Sequence, residues 1–167
     1  MQSQHPELPE GAPETIGPGP DAKSSEHARR SELYTQIWLY AAVGTGSVIG
    51  GTARWLISEF LHAWAPGGMP WGTFFVNVTG SFLIGSYAAL TGPDGRIFAG
   101  PVQRQFVMTG ICGGYTTFSV FSLETVRLIQ AGDLQTAGLN IGLSLAGWLV
   151  AVWAGFALAA RLNRLPR

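Results

Sequence analysis

The sequence predicts an all-α membrane protein of four transmembrane helices, the third of them broken. Three observations lead there. Only 12% of the 167 residues are charged, about half the share of an ordinary soluble domain. Those charges are absent from four long intervals, residues 33–53, 60–93, 105–123 and 134–160. Within the third interval, GGYTTFSVFS at 113–122 opens on two glycines and then alternates hydroxyls with phenylalanines, a poor recipe for a continuous apolar rod.

Crossing hydrocarbon takes roughly 20 mainly apolar residues, and each interval is long enough to contain a span. The spans are expected at about residues 33–57, 71–91, 102–128 and 134–160. A soluble helical domain would need polar faces toward water, and these segments largely lack them. Together, residues 33–160 form the membrane domain, followed by a short basic tail at 161–167. Ahead of it, residues 1–32 begin with five prolines in the first twenty residues and continue as DAKSSEHARRSE. That composition reads as a disordered polar tail with no core to bury, and it lacks the apolar stretch of a secretory signal.

Several chemistries are excluded early. Cys112 is the only cysteine, which rules out an intrachain disulfide and disfavours a thiolate metal site. His5, His27 and His62 are scattered between the tail and a loop. There is no phosphate-binding glycine loop, no basic nucleic-acid stripe and no nucleophile placed beside a histidine. An enzyme is not expected.

In the first span, GTGSVIGGTAR places Gly46, Gly50 and Arg54 four residues apart. Small residues at that spacing let two helices approach closely in lipid. Arg54 reads either as an anchor reaching the headgroups or as a guanidinium that concentrates anions in an aqueous vestibule. The second span, GTFFVNVTGSFLIG at 72–85, carries Asn77 well inside it. An amide in hydrocarbon must find a partner, either another helix or an anion to which its nitrogen donates.

In the third span, Gly110, Gly113 and Gly114 weaken the helix, and the hydroxyls of Thr116, Thr117, Ser119 and Ser122 compete for its backbone hydrogen bonds. A break at membrane depth must face protein or water, and its freed carbonyls can coordinate a monovalent cation. Phe118 and Phe121, three apart, share one side of the following helix. Their ring edges are electropositive and can solvate a small anion weakly, with stronger hydroxyl and amide donors between them. That balance suits permeation, although a simple aromatic packing seam has the same spacing. Glu124 follows closely and would repel an anion. It fits a vestibule, an organising partner for Arg54 or another donor, or a proton carrier.

The stretches GGTARW, GTFFVNVTGSFLIG and GICGGYTTFSVFSLE, in that order, resemble the bacterial CrcB/Fluc fluoride ion channel family over roughly residues 36–160. The resemblance implies an antiparallel, dual-topology homodimer in the bacterial inner membrane, with two narrow fluoride pathways and passive fluoride efflux. It implies a structural Na+ at the dimer axis, held by the backbone carbonyls of Gly113 and Thr116. It places Asn77, Phe118 and Phe121 on the pathway, with Ser144 of the fourth helix beside them, and the hydroxyls of Thr117 and Ser119 are then the expected stronger donors between the rings. Arg54 and Glu124 fall at the family's vestibular positions. Asn140 stands where family members often carry a tyrosine, so its contribution is a departure.

Charge adds a tension. Lys23, Arg29, Arg30, Arg96, Arg104, Arg161, Arg164 and Arg167 lie on one side of the four-span layout, against Arg54 and Arg127 on the other. The positive-inside rule then favours cytoplasmic termini, whereas dual topology needs balance. Two rival readings remain: a small proton-coupled transporter with Glu124 as proton carrier, and a noncatalytic assembly subunit whose glycines and hydroxyls only pack helices.

Overall fold

The computed structural model describes residues 20–64 and 68–165, and all regular structure among them is helical. Helix α1 runs Pro20–Trp64 and α2 Trp71–Leu90. A third helical stretch then begins with α3, Pro101–Gln105. It continues as a π-helical segment, Phe106–Cys112, and ends in α4, Gly113–Tyr115. After a two-residue interruption come α5, Phe118–Gln130, and α6, Leu134–Asn163.

The chain divides into two compact units between Gln36 and Ile37, a boundary that falls within α1, and the glycine seams and cavities described below lie in the second. Helix α1 starts at Pro20, well before the expected boundary at residue 33. Proline is pre-organised for a first helical turn, and Arg30 pairs with Glu26 one turn earlier at 3.4 Å, a spacing that supports an exposed helix. The part of the expected disordered tail that falls on residues 1–19 lies outside the described residues.

Three stretches among the described residues are long and apolar enough to cross a membrane: Trp71–Leu90, Pro101–Gln130 and Leu134–Asn163. Each lies within a few residues of an expected span. Helix α1 has the length but not the apolarity, because its glycine-, serine- and threonine-rich run at residues 44–52 dilutes the hydrophobic content. Its large apolar side chains, among them Trp38, Tyr40, Val48 and Trp55, are nevertheless exposed.

Burial is inverted relative to a water-soluble domain. The largest fully buried side chains are Val76, Asn140 and Ser144, while Leu149 and Trp153 of α6 are each 70% exposed. Lipid is as apolar as leucine, so helices gain by turning small and polar groups inward and leaving large apolar ones outside.

Two glycine seams set the close approaches. A Cβ on Gly46 would stand 2.6 Å from the Phe106 carbonyl oxygen, and one on Gly114 would stand 2.6 Å from that of Ser47. A Cβ on Gly50 would overlap the Ile111 carbonyl. The GxxxG face of α1 is thereby locked against the Gly110–Gly114 face of the third stretch. Gly85 and Gly155 make the corresponding seam between α2 and α6, against Val152 and Phe82.

Helix α6 begins cleanly. The Asp133 side chain accepts from the Thr136 backbone N–H at 3.0 Å, an N-cap that satisfies one free donor of the first turn. Hydrogen bonds from the Thr136 side chain and backbone hold the Asp133 carboxyl below its ordinary range.

Candidate functional site: a broken helix beside a donor-lined cavity

The break falls at Thr116 and Thr117. Thr116 still donates its N–H to the Cys112 carbonyl at 3.0 Å, and its hydroxyl donates to the same oxygen at 3.0 Å. Its ψ of 160° then takes the chain out of the helix. Thr117 is extended, with φ −151° and ψ 124°. Its N–H, which would have closed a turn on Gly113, donates instead to Asn77 Oδ1 at 2.7 Å. The Asn77 Nδ2 donates back to the Thr117 carbonyl at 2.8 Å. One amide on α2 therefore satisfies both backbone polar groups of Thr117, as hydrocarbon demands. A second N–H of the Asn77 amide is left over. The Thr117 hydroxyl accepts from Val120 N–H at 3.2 Å, capping α5, and lies 3.3 Å from the Ser119 hydroxyl.

Diverting Thr117 N–H leaves the Gly113 carbonyl without its usual helical donor. A Cβ on Gly113 would meet nothing nearer than the Met108 carbonyl oxygen at 3.8 Å, so this side of the break is open. Neutral carbonyl oxygens on unwound backbone suit a monovalent cation, and those of Gly113 and Thr116 fit that chemistry. Two oxygens do not complete a coordination shell. Among the described residues no group of three or more His, Cys, Asp or Glu could hold a metal.

Beside the break lies a cavity of about 280 Å3 lined by Asn77, Gly80, Ser81, Ile84, Cys112, Gly113, Thr116, Thr117, Phe118 and Trp148. It therefore gathers Asn77, Gly113, Thr116, Thr117 and Phe118, five of the residues singled out in the sequence. The Phe118 and Phe121 rings sit 5.6 Å apart, tilted at 47°. Phe118 is 68% exposed, whereas Phe121 is buried, held edge-on by Trp148 at 5.0 Å. The N-terminus of α5 opens at this level, and its partial positive charge favours an anion.

A buried polar chain continues along α5 and α6. The Ser144 hydroxyl donates to Asn140 Oδ1 at 3.4 Å, the Asn140 Nδ2 donates to Thr125 Oγ1 at 2.9 Å, and the Thr125 hydroxyl donates to the Phe121 carbonyl at 2.8 Å. Asn140 is thus joined to Ser144, one turn further along α6, and to Thr125 of α5.

Glu124 faces a different space, a cavity of about 490 Å3 at the end of α5, shared with Ser58, Glu59, His62, Thr73 and Arg127. Its Oε1 accepts from the Thr73 hydroxyl at 3.0 Å, and its Oε2 is buried without a partner. Arg54 does not line this cavity, and it makes no hydrogen bond or ion pair among the described residues. Thr73, and not Arg54, is the group that holds Glu124. His62, expected in a loop, lies in the last turn of α1.

Thr73, Thr125 and Trp148 were not singled out by sequence reasoning. For Thr125 and Trp148 a signal existed: each lies four residues beyond a singled-out residue, Phe121 and Ser144. Thr73 carried none, since only the fold brings it to Glu124.

Comparison with known proteins gives the family of the sequence. Residues 41–156 match the family described as CrcB-like protein, Camphor Resistance (CrcB). A protein of Rhodopseudomonas palustris (strain BisB18) named "Fluoride-specific ion channel FluC 1" is 58% identical over 134 residues, covering 80% of this chain and 95% of that protein. A namesake from Bradyrhizobium diazoefficiens is 53% identical over 137 residues, 82% of this chain and 95% of its own length. The "Fluoride-specific ion channel FluC" of Methylocella silvestris is 46% identical over 126 residues, 75% of this chain and 96% of its own. The matched span begins before the glycine seam of α1 and ends beyond Trp148 on α6, taking in the pinned break and its cavity: this chain belongs to the CrcB-like family, as a multi-pass membrane protein.

Proposed function

We propose that this protein is a fluoride-selective channel through which the anion leaves the bacterial cytoplasm passively across the inner membrane. Its working form is an antiparallel homodimer of four-span subunits, with Na+ at the dimer axis. The observation that carries the reading is the Thr117 peptide pinned by Asn77 at the wall of a cavity that presents hydrogen-bond donors and an exposed phenylalanine. The names and close similarity of the relatives support fluoride as the permeant ion.

The chemistry follows from the donors. Fluoride is small and strongly hydrated, so a path must replace its water with several donors without trapping it. Here the second Asn77 N–H, the Thr117 and Ser119 hydroxyls and the ring edges of Phe118 and Phe121 are near one another, and Ser144 continues the series. The Ser144 bond to Asn140 is long enough to be exchanged for a passing ion. No full positive charge lines the cavity, which limits trapping.

The carbonyls of Gly113 and Thr116 would hold the sodium, which supplies a fixed positive potential without giving up a proton. Because one chain offers too few oxygens, a second copy is needed, and the same copy would cover Phe118. The Glu124 carboxylate, outside the donor-lined cavity and bonded to Thr73, belongs to the vestibule. Arg54 is a second vestibular charge that raises the local anion concentration.

The test is fluoride efflux from liposomes containing the purified protein, with chloride as comparison and with or without an imposed pH gradient. Fluoride flux that far exceeds chloride flux and ignores the gradient is the expected result. Coupling to the gradient would replace the channel with a proton-coupled transporter, and no flux after confirmed incorporation would leave an assembly subunit. Accessibility labelling of both termini in intact cells tests the antiparallel arrangement, which a uniform orientation would remove.

A further inference from the structure

We propose that the indole N–H of Trp148 is a hydrogen-bond donor to the passing anion and a determinant of its selectivity. This rests on the channel reading above. Trp148 lies one turn beyond Ser144 and two beyond Asn140 on α6, so it extends the buried polar stripe of that helix to the cavity beside the break. Its ring is held at 75° to Phe121, with centroids 5.0 Å apart, which restrains the direction of the indole.

The indole nitrogen is buried and has no hydrogen-bond partner. An indole N–H can only donate, and buried donors in native proteins are rarely left without an acceptor. The missing acceptor has to come from outside this chain. The cavity wall offers an anion in that role two unspent donors beside the indole, the second Asn77 N–H and the Thr117 hydroxyl, whose oxygen is already engaged by Val120 N–H, while the freed Gly113 carbonyl is, in the channel reading, taken by sodium. No Asp, Glu, Lys or Arg lines the cavity, so neither a resident carboxylate accepts from the indole nor a fixed cation competes for the ion. Donors that converge on a space without a charged acceptor select a small, strongly accepting anion over a larger one. The geometry thus gives Trp148 a part in preferring fluoride to chloride.

The experiment replaces Trp148 with 3-benzothienylalanine, which keeps the bicyclic outline and puts sulfur in place of N–H, and alongside it makes Trp148→Phe. Fluoride and chloride efflux from liposomes are measured for the parent and both variants. Loss of one hydrogen bond in the path predicts about a tenfold fall in fluoride flux, with a smaller fluoride-to-chloride ratio and unchanged dimer elution.

A conducting parent with variants equal to it in rate and ratio overturns the proposal while leaving the channel reading intact. A parent that conducts no fluoride overturns the channel reading itself. If the variants fail to assemble, the acceptor is an atom of the second copy and the proposal also fails. Independently of assembly, the Trp148 indole proton resonance of the parent, labelled with 15N-tryptophan and assigned by elimination, should move on titration with sodium fluoride and stay in place with sodium chloride. An unmoved resonance under fluoride overturns the assignment.

Discussion

Replacing Asn77 by aspartate exchanges one heavy atom, Nδ2 for an oxygen, at the point where the broken helix is pinned. The side chain keeps its shape and can still accept the Thr117 N–H, now at 2.7 Å. The opposite bond, from Nδ2 to the Thr117 carbonyl at 2.8 Å, becomes a contact between two oxygens. A buried carbonyl without its donor costs about 1–3 kcal/mol, and the added charge repels the permeating anion. Carried into the barrier, that range corresponds to roughly a 5- to 150-fold fall in fluoride flux. Burial favours the neutral carboxyl, and its O–H would again donate to Thr117, so the defect should shrink as pH falls. Asn77→Ser removes both bonds without adding charge. It should therefore denature more readily than Asn77→Asp yet conduct fluoride faster at neutral pH. Liposome efflux across a pH series, paired with thermal denaturation followed by size-exclusion chromatography, measures both quantities. An aspartate variant with the parent's flux and stability at neutral pH would refute the pinning and the donor role together.

Phe118→Ile and Phe121→Ile should each reduce fluoride flux greatly while largely preserving dimer assembly. Only the second should also lower thermal stability, by about 1–2 kcal/mol, because Phe121 is buried against Trp148; parental flux in both would argue against conduction along ring edges. Gly50→Ala should abolish recovery of folded protein, since its Cβ would overlap the Ile111 carbonyl, whereas Gly138→Ala, with nothing within 4 Å, should elute as the parent does. Replacing sodium with N-methyl-D-glucamine during purification should weaken the dimer and slow fluoride efflux together, and unchanged elution and flux would remove the cation from the carbonyl site.

How legible the molecule was in its sequence differs from element to element. The span expected at 71–91 appears as Trp71–Leu90, because charge-free runs bounded by glycine, proline and loop residues leave a helix little choice of ends. The break was visible in Gly113, Gly114 and the paired threonines, which weaken a helix by known means. Its clamp was less visible: Asn77 advertised a need for a partner, but either a helix or an ion would have met it, and Thr117 lies 40 residues away. The early start of α1 was hidden by the proline-rich run before it, which drew attention from the Ala, Glu and Arg residues that follow. Trp148 had only its place one turn beyond Ser144 to mark it, since an aromatic in an apolar helix ordinarily faces lipid, and only the fold shows its buried nitrogen without a partner in this chain.

The order of the chain has a consequence for biogenesis. The backbone N–H and carbonyl of Thr117 are not paired within the third stretch, and their partners, the two polar atoms of the Asn77 amide, sit on a helix synthesised earlier. When the interruption leaves the ribosome, the amide that will hold it is already within reach of the bilayer. Insertion can then proceed span by span, with the weakest point of the third segment matched on arrival by a waiting neighbour.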